Sequence, residues 1–172
     1  MSMKLEVGDL MPSVGLRATD GYLLNLRSSV TKQPALILFF GAPTLSGAGR
    51  RRGLQAIEAL SSGHRRLHQA GISVVGISCD SVEQQTAFLA EHQLPFLLLS
   101  DERRSAVEML GIETTAEGEN VNVSQPVAIA VDRDGMIRAI IDATEPDGLV
   151  DQAVQALSEP ISTTAEDAST AL

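Results

Sequence analysis

Residues 35–40, ALILFF, form an apolar run with no polar interruption. A run this short, with no polar face, reads as a strand buried on both sides rather than as a helix. Residues 72–77, ISVVGI, read the same way. Between the two, from about Arg50 to Gln69, Leu54, Ile57, Leu60, His64 and Leu67 recur at helical spacing, and Gly71 ends the pattern. Buried strands alternating with helices predict a layered α/β sheet covered on both faces.

The rest of the chain extends this pattern. Residues 14–18 alternate weakly as a strand, Asp20-Gly21 is a hairpin turn, and residues 22–26 return. Asp80-Ser81 predicts the start of a second helix, with Gln84 completing a capping box and Val82, Phe88 and Leu89 on the buried side. Residues 96–99 predict a third strand. Asp101 opens a short helix through Leu110, with Ala106, Val107 and Leu110 inward. Residues 113–125 read as polar and irregular. Residues 126–131 predict a fourth strand, Arg133-Asp134-Gly135 a tight turn, residues 136–141 its hairpin partner and residues 147–157 a last amphipathic helix. The closing hairpin makes the sheet mixed. Residues 1–157 form one domain, and residues 158–172, rich in Ser, Thr, Ala and acidic side chains, are expected to be a disordered tail.

With four Phe, one Tyr and no Trp, the core has to be aliphatic. The net charge of −9 argues against nucleic acid and anionic membranes as partners, because both repel an acidic protein. No apolar stretch approaches membrane-spanning length, and MSMKLEVGDL lacks the apolar segment of a secretory signal, so a cytoplasmic protein is expected. There is one cysteine, Cys79, which excludes an internal disulfide and a CxxC motif.

Five segments in order carry a resemblance: GDLMP with a following DG, the loop after Phe39-Phe40, VVGISCDS, LPFLLLSD and VDRDG. Over roughly residues 5–157 the chain resembles the AhpC/TSA peroxiredoxins, and the bacterioferritin-comigratory (PrxQ-like) group fits best. The resemblance implies a thioredoxin-like fold with an N-terminal hairpin. It also implies an active site in the loop after Phe39-Phe40, where members reduce peroxides with a cysteine in a P-x-x-x-T-x-x-C motif, completed by an arginine from a later strand. Counted from Phe39-Phe40, the motif proline falls on Gly41, the threonine on Leu45 and the peroxidatic cysteine on Ala48. A second cysteine common in the group falls on Gly53, and the arginine falls near Pro126. Peroxide chemistry requires a thiolate activated at a helix N-terminus, and an alanine methyl has no lone pair with which to attack.

The other candidates are read from the residues themselves. Gly47, Ala48 and Gly49 at a helix start, with Thr44, Ser46, Arg50, Arg51 and Arg52, outline a pocket for a small anion, shaped by close backbone approach and positive charge, and the resemblance implies that Gln125 and Pro126 face the same loop. The alternative for the arginines is a solvated or dimer-facing basic surface. Cys79 lies at the C-terminal end of a strand, where sites gather in parallel sheets, although a lone Cys ordinarily packs as a small hydrophobe. His64 and His68 share a helix face but lack a third ligand, and His92 has no constellation, so no metal and no cofactor are expected. The resemblance implies a cis bond between Gln125 and Pro126; an ordinary strand start implies a trans one.

Three functions fit these residues. The first is a peroxiredoxin-like binding or regulatory module without thiol peroxidase activity, monomeric or homodimeric. The second is an enzyme of another class that uses the old pocket for an anionic or acyl substrate. The third is residual redox activity through Cys79.

Overall fold

The computed structural model describes residues 3–28 and 33–158. The expected tail falls outside them except for Ser158, which continues the last helix. Among the described residues the strands are β1 (Gly15–Ala18), β2 (Leu23–Asn25), β3 (Ala35–Phe39), β4 (Ser73–Ser78), β5 (Leu97–Ser100), β6 (Thr114–Glu117), β7 (Asn120–Val123), β8 (Val127–Val131) and β9 (Ile137–Asp142). The helices are α1 (Gly47–Gln69), α2 (Val82–His92), α3 (Ser105–Leu110) and α4 (Leu149–Ser158).

Seven strands make one mixed sheet in the order β2-β1-β5-β4-β3-β8-β9. Strands β3, β4 and β5 are parallel, as their helical crossovers require, and β1 and β8 close against them antiparallel. All five residues of β3 are buried. Its side chains alternate between two cores, as the pleat dictates. Leu36 and Leu38, followed by Phe40, pack with Ile57 and Leu60 of α1, Phe88 of α2 and Ala153 of α4. Ile37 and Phe39 pack on the other face with Ile77, Ile129 and Val107. The mixed α/β sheet flanked by helices and opened by a hairpin is therefore the observed architecture.

Several local expectations change. Residues 113–125 are not irregular, because β6 and β7 pair antiparallel as a separate two-stranded sheet with the turn at Gly118. The segment is polar because, apart from Val123, its side chains lie outside the two large cores. Helix α3 begins at Ser105 rather than at Asp101, whose buried carboxylate instead accepts from the Ala106 and Val107 N–H groups at 3.2 and 2.9 Å. Helix α1 begins three residues before Arg50. The capping box forms as expected, with Ser81 Oγ accepting from Gln84 N at 3.2 Å. On α2, Gln85 is buried beside Phe88, while Val82 and Leu89 are half-buried.

Gly63 lets α1 approach α4. A Cβ placed there would collide with Cγ2 of Val150. Gly63→Ala should therefore lower stability by about 1–2 kcal/mol, because overpacking outweighs alanine's helix propensity advantage of about 1 kcal/mol. In a Val150→Ala background the same change should become stabilising. Urea melts of the four proteins would check the sign reversal.

Candidate functional site

The loop after β3 runs from Phe40 into the first turn of α1. Its residues face two structures that the sequence does not place there, the β6–β7 hairpin and the loop after β4. Asn122 of β7 joins all three. It is fully buried. Its side-chain oxygen accepts from the backbone N–H of Cys79 at 2.8 Å and of Val123 at 2.9 Å. Its amide nitrogen donates to Asp80 Oδ2 and Thr44 Oγ1, each at 2.9 Å. Asp80 is 2% exposed, and its other carboxylate oxygen has no hydrogen-bond partner. Gly41 lies under the same hairpin, where a Cβ would strike the Val123 carbonyl.

The start of α1 is already occupied. Ser46 is the N-cap in extended backbone, but its hydroxyl makes no capping bond, and the first turn holds no acidic residue. Instead Glu117 of β6, 71 residues away, brings its carboxylate to Ser46. The Ser46 N–H donates to its two oxygens at 3.2 and 3.3 Å, and Ser46 Oγ donates to Oε1 at 2.7 Å. A helix N-terminus with unpaired N–H groups favours such a charge.

Ala48 is exposed in that first turn. Gly47 takes a left-handed φ of 58°, open to any side chain's space but strained for one. The three arginines diverge. Arg50 Nη1 donates to the Ala42 carbonyl at 2.6 Å, Arg52 Nη2 reaches the Ser124 carbonyl at 3.4 Å, and Arg51 is exposed. Arg50 and Arg52 thus brace backbone on either side of the loop. Gln125 and Pro126 line a cavity of about 350 Å³ shared with Ile112, Glu113, Ile140 and Asp142, which Ser46 and Ala48 do not line. The bond preceding Pro126 is trans, which corrects the cis geometry implied by the resemblance; the buried proline simply opens β8.

Cys79 is 8% exposed. Burial, and then the negative charges of Asp101 and Asp80, push its thiol up to about 12, while Arg104 pulls it the other way. A thiol held so high is neutral at physiological pH, and a neutral thiol is a poor nucleophile. Asp101 is also raised above the ordinary carboxylate range, by burial, although the N–H groups at the start of α3 oppose the shift. His64 packs against His68 and Phe96 with ring centroids 6.2 Å away in each case, and His92 lies tilted against Phe88 at 4.3 Å. No group of three or more potential metal ligands comes together among the described residues. Nor, among them, is any helix long and apolar enough to cross a membrane.

Residues 7–140 match the model of the AhpC/TSA family. Similar relatives include Peroxiredoxin Bcp of Escherichia coli K12, 30% identical over 140 residues that span 80% of this chain and 86% of the relative. A putative peroxiredoxin bcp of Coxiella burnetii is 27% identical over 88% of this chain and 98% of its own. Among solved structures, peroxidoxin BcpB of Mycobacterium tuberculosis superposes with a TM-score of 0.75 at 19% identity, covering 90% of this chain and 97% of its own. A cysteine-to-serine mutant of PrxQ from Xylella fastidiosa gives 0.69 at 17% identity, over 90% and 96%.

Proposed function

The chain belongs to the AhpC/TSA family, and from that membership we propose that it is a member without thiol peroxidase activity, acting as a binding or regulatory module. The observation that carries this reading is the placement of sulfur. The first turn of α1, where the family's chemistry puts its nucleophile, holds Ala48, and the chain's one cysteine is a buried, neutral thiol. A peroxide O–O bond is cleaved by a thiolate, which takes up one oxygen as a sulfenic acid and releases water or an alcohol. Ala48 offers no electron pair, and among the described residues the only group that takes the Ser46 hydroxyl hydrogen bond is the Glu117 carboxylate, far too weak a base to make an alkoxide. As such a module the protein works in the cytoplasm as a monomer or homodimer, and its ligand is a small anion recognised near the start of α1.

The test is consumption of hydrogen peroxide and of an organic hydroperoxide with a dithiol reductant or thioredoxin. The parent and Cys79→Ser should both match the protein-free rate. Turnover by the parent that disappears in Cys79→Ser would overturn the reading and promote residual redox chemistry.

A further inference from the structure

We propose that Asp147 is a site of spontaneous isomerisation to isoaspartate, and that the product loosens α4. The chain holds three Asp-Gly pairs, Asp20-Gly21, Asp134-Gly135 and Asp147-Gly148, and the aspartate is exposed in each. Glycine has no Cβ to hinder its own nitrogen as a nucleophile. In such a pair the glycine amide nitrogen attacks Cγ of the aspartic acid. An N–Cγ bond forms, and the amide proton leaves with the carboxyl hydroxyl as water, which closes a succinimide. A second water then opens the ring. Addition at the main-chain carbonyl breaks its bond to the nitrogen and leaves the chain running through Cβ, one methylene longer. The water lost is regained, so no oxidant, reductant or other co-reactant is needed.

The local turns separate the three pairs. Gly21 N donates to the Ala18 carbonyl at 2.9 Å, and Gly135 N to the Asp132 carbonyl at 3.0 Å, so each of these glycines closes its turn with the nitrogen that would have to attack. Asp20 is engaged as well, accepting from Tyr22 N at 3.1 Å, and Gly135 is buried. At Asp147 the register differs by one residue. Leu149 N closes the turn on the Pro146 carbonyl at 3.0 Å, which puts Gly148 at the third position with a φ of 84°, as a type II turn requires. The N–H at that position carries no turn bond, and Gly148 N has no partner among the described residues. The Asp147 side chain lines a hollow of about 570 Å³ with Ser62 of α1 and Thr144, which leaves room for the ring and for water. The product forms at the foot of α4. Leu149 beside it is fully buried, and Val150 packs where Gly63 lets α1 come close. A main chain one methylene longer at that point shifts the helix off its seat.

The experiment ages the parent and Asp147→Glu at 37 °C and neutral pH, and maps aspartate against isoaspartate at the three pairs by electron-transfer mass spectrometry. In the folded parent, isoaspartate should gather at Asp147 at least about fivefold faster than at Asp20 or Asp134, the factor set by the hydrogen bond that those two must first break. The same map in urea should bring the three rates together, because each pair is then only Asp-Gly. Ageing should lower the melting temperature of the parent more than that of Asp147→Glu, in which the longer side chain would have to close a slower six-membered ring. Equal rates at the three pairs in the folded protein, or a lead at Asp147 that persists unchanged in urea, would overturn the site. Isoaspartate at Asp147 with an equal fall in melting temperature for the two proteins would overturn its coupling to α4.

Discussion

Cys79 in the folded protein should react with a thiol-specific disulfide reagent at pH 8 about a thousandfold more slowly than the same cysteine in urea. Reagents of this kind attack the thiolate, and its fraction falls tenfold for each unit by which the pKa exceeds the pH. The thiol stands at about 12 in the fold against an ordinary 9.0, with burial as the first cause and the charges of Asp101 and Asp80 next. Restricted access can only lower the rate further. A corollary concerns alkaline stability. The folded chain keeps the thiol proton up to pH 12, whereas the unfolded chain releases it above pH 9. The thiol therefore contributes stability that is fully present below pH 9 and is lost as the pH rises toward 12. Cys79→Ala should remove that part of the alkaline decline. Native labelling at the unfolded rate would show that the thiol is ionised and accessible, and would reopen it as a redox centre.

Asn122→Leu should destabilise the protein by about 3–5 kcal/mol, enough to move a urea midpoint by more than about 1 M. Leucine matches the volume but removes four good hydrogen bonds at once. It strips the Cys79 and Val123 N–H groups of their acceptor, and Asp80 and Thr44 of their donor. The largest share comes from Asp80, a 2%-exposed carboxylate whose other oxygen is already unpartnered, because an uncompensated buried charge is far more costly than a lost neutral bond. A change below about 1 kcal/mol would mean that water or a neighbouring side chain replaces Asn122, and that the residue is not the joint of the three loops.

These two residues mark where sequence reading succeeds and where it stops. Strands β3, β4 and β8 were legible because they are buried on both faces, so composition alone announces them. The capping box at Ser81 was legible because its partners lie three residues apart. The family was legible through the order of its turn and strand motifs. The hairpin at Thr114–Glu117 and Asn120–Val123 was not, because its pairing is backbone pairing and its side chains are mostly polar. Gly118 was the one available signal, a glycine between two acidic residues. Asn122 looks like any loop asparagine until the fold encloses it. Glu117 meets Ser46 across 71 residues, and no local pattern encodes a partner at that distance. The arginines were legible only in part. Their charge is visible in the sequence, but the carbonyls that Arg50 and Arg52 serve are not.

The place of β3 in the sheet has a consequence for how the chain is made. Its two neighbours are β4, which follows after one helix, and β8, which follows only after β4 to β7. At about 5–20 residues per second, the ribosome takes roughly 5–20 s to supply that second neighbour. Throughout that interval an all-apolar strand carries one edge of unpaired N–H and C=O groups, the kind of template that recruits another copy. In the finished protein that edge is sealed from Ala35 to Phe39 by pairing with Val131 to Val127. The chain is therefore most exposed to self-association during its own synthesis, when a polysome holds many such edges close together.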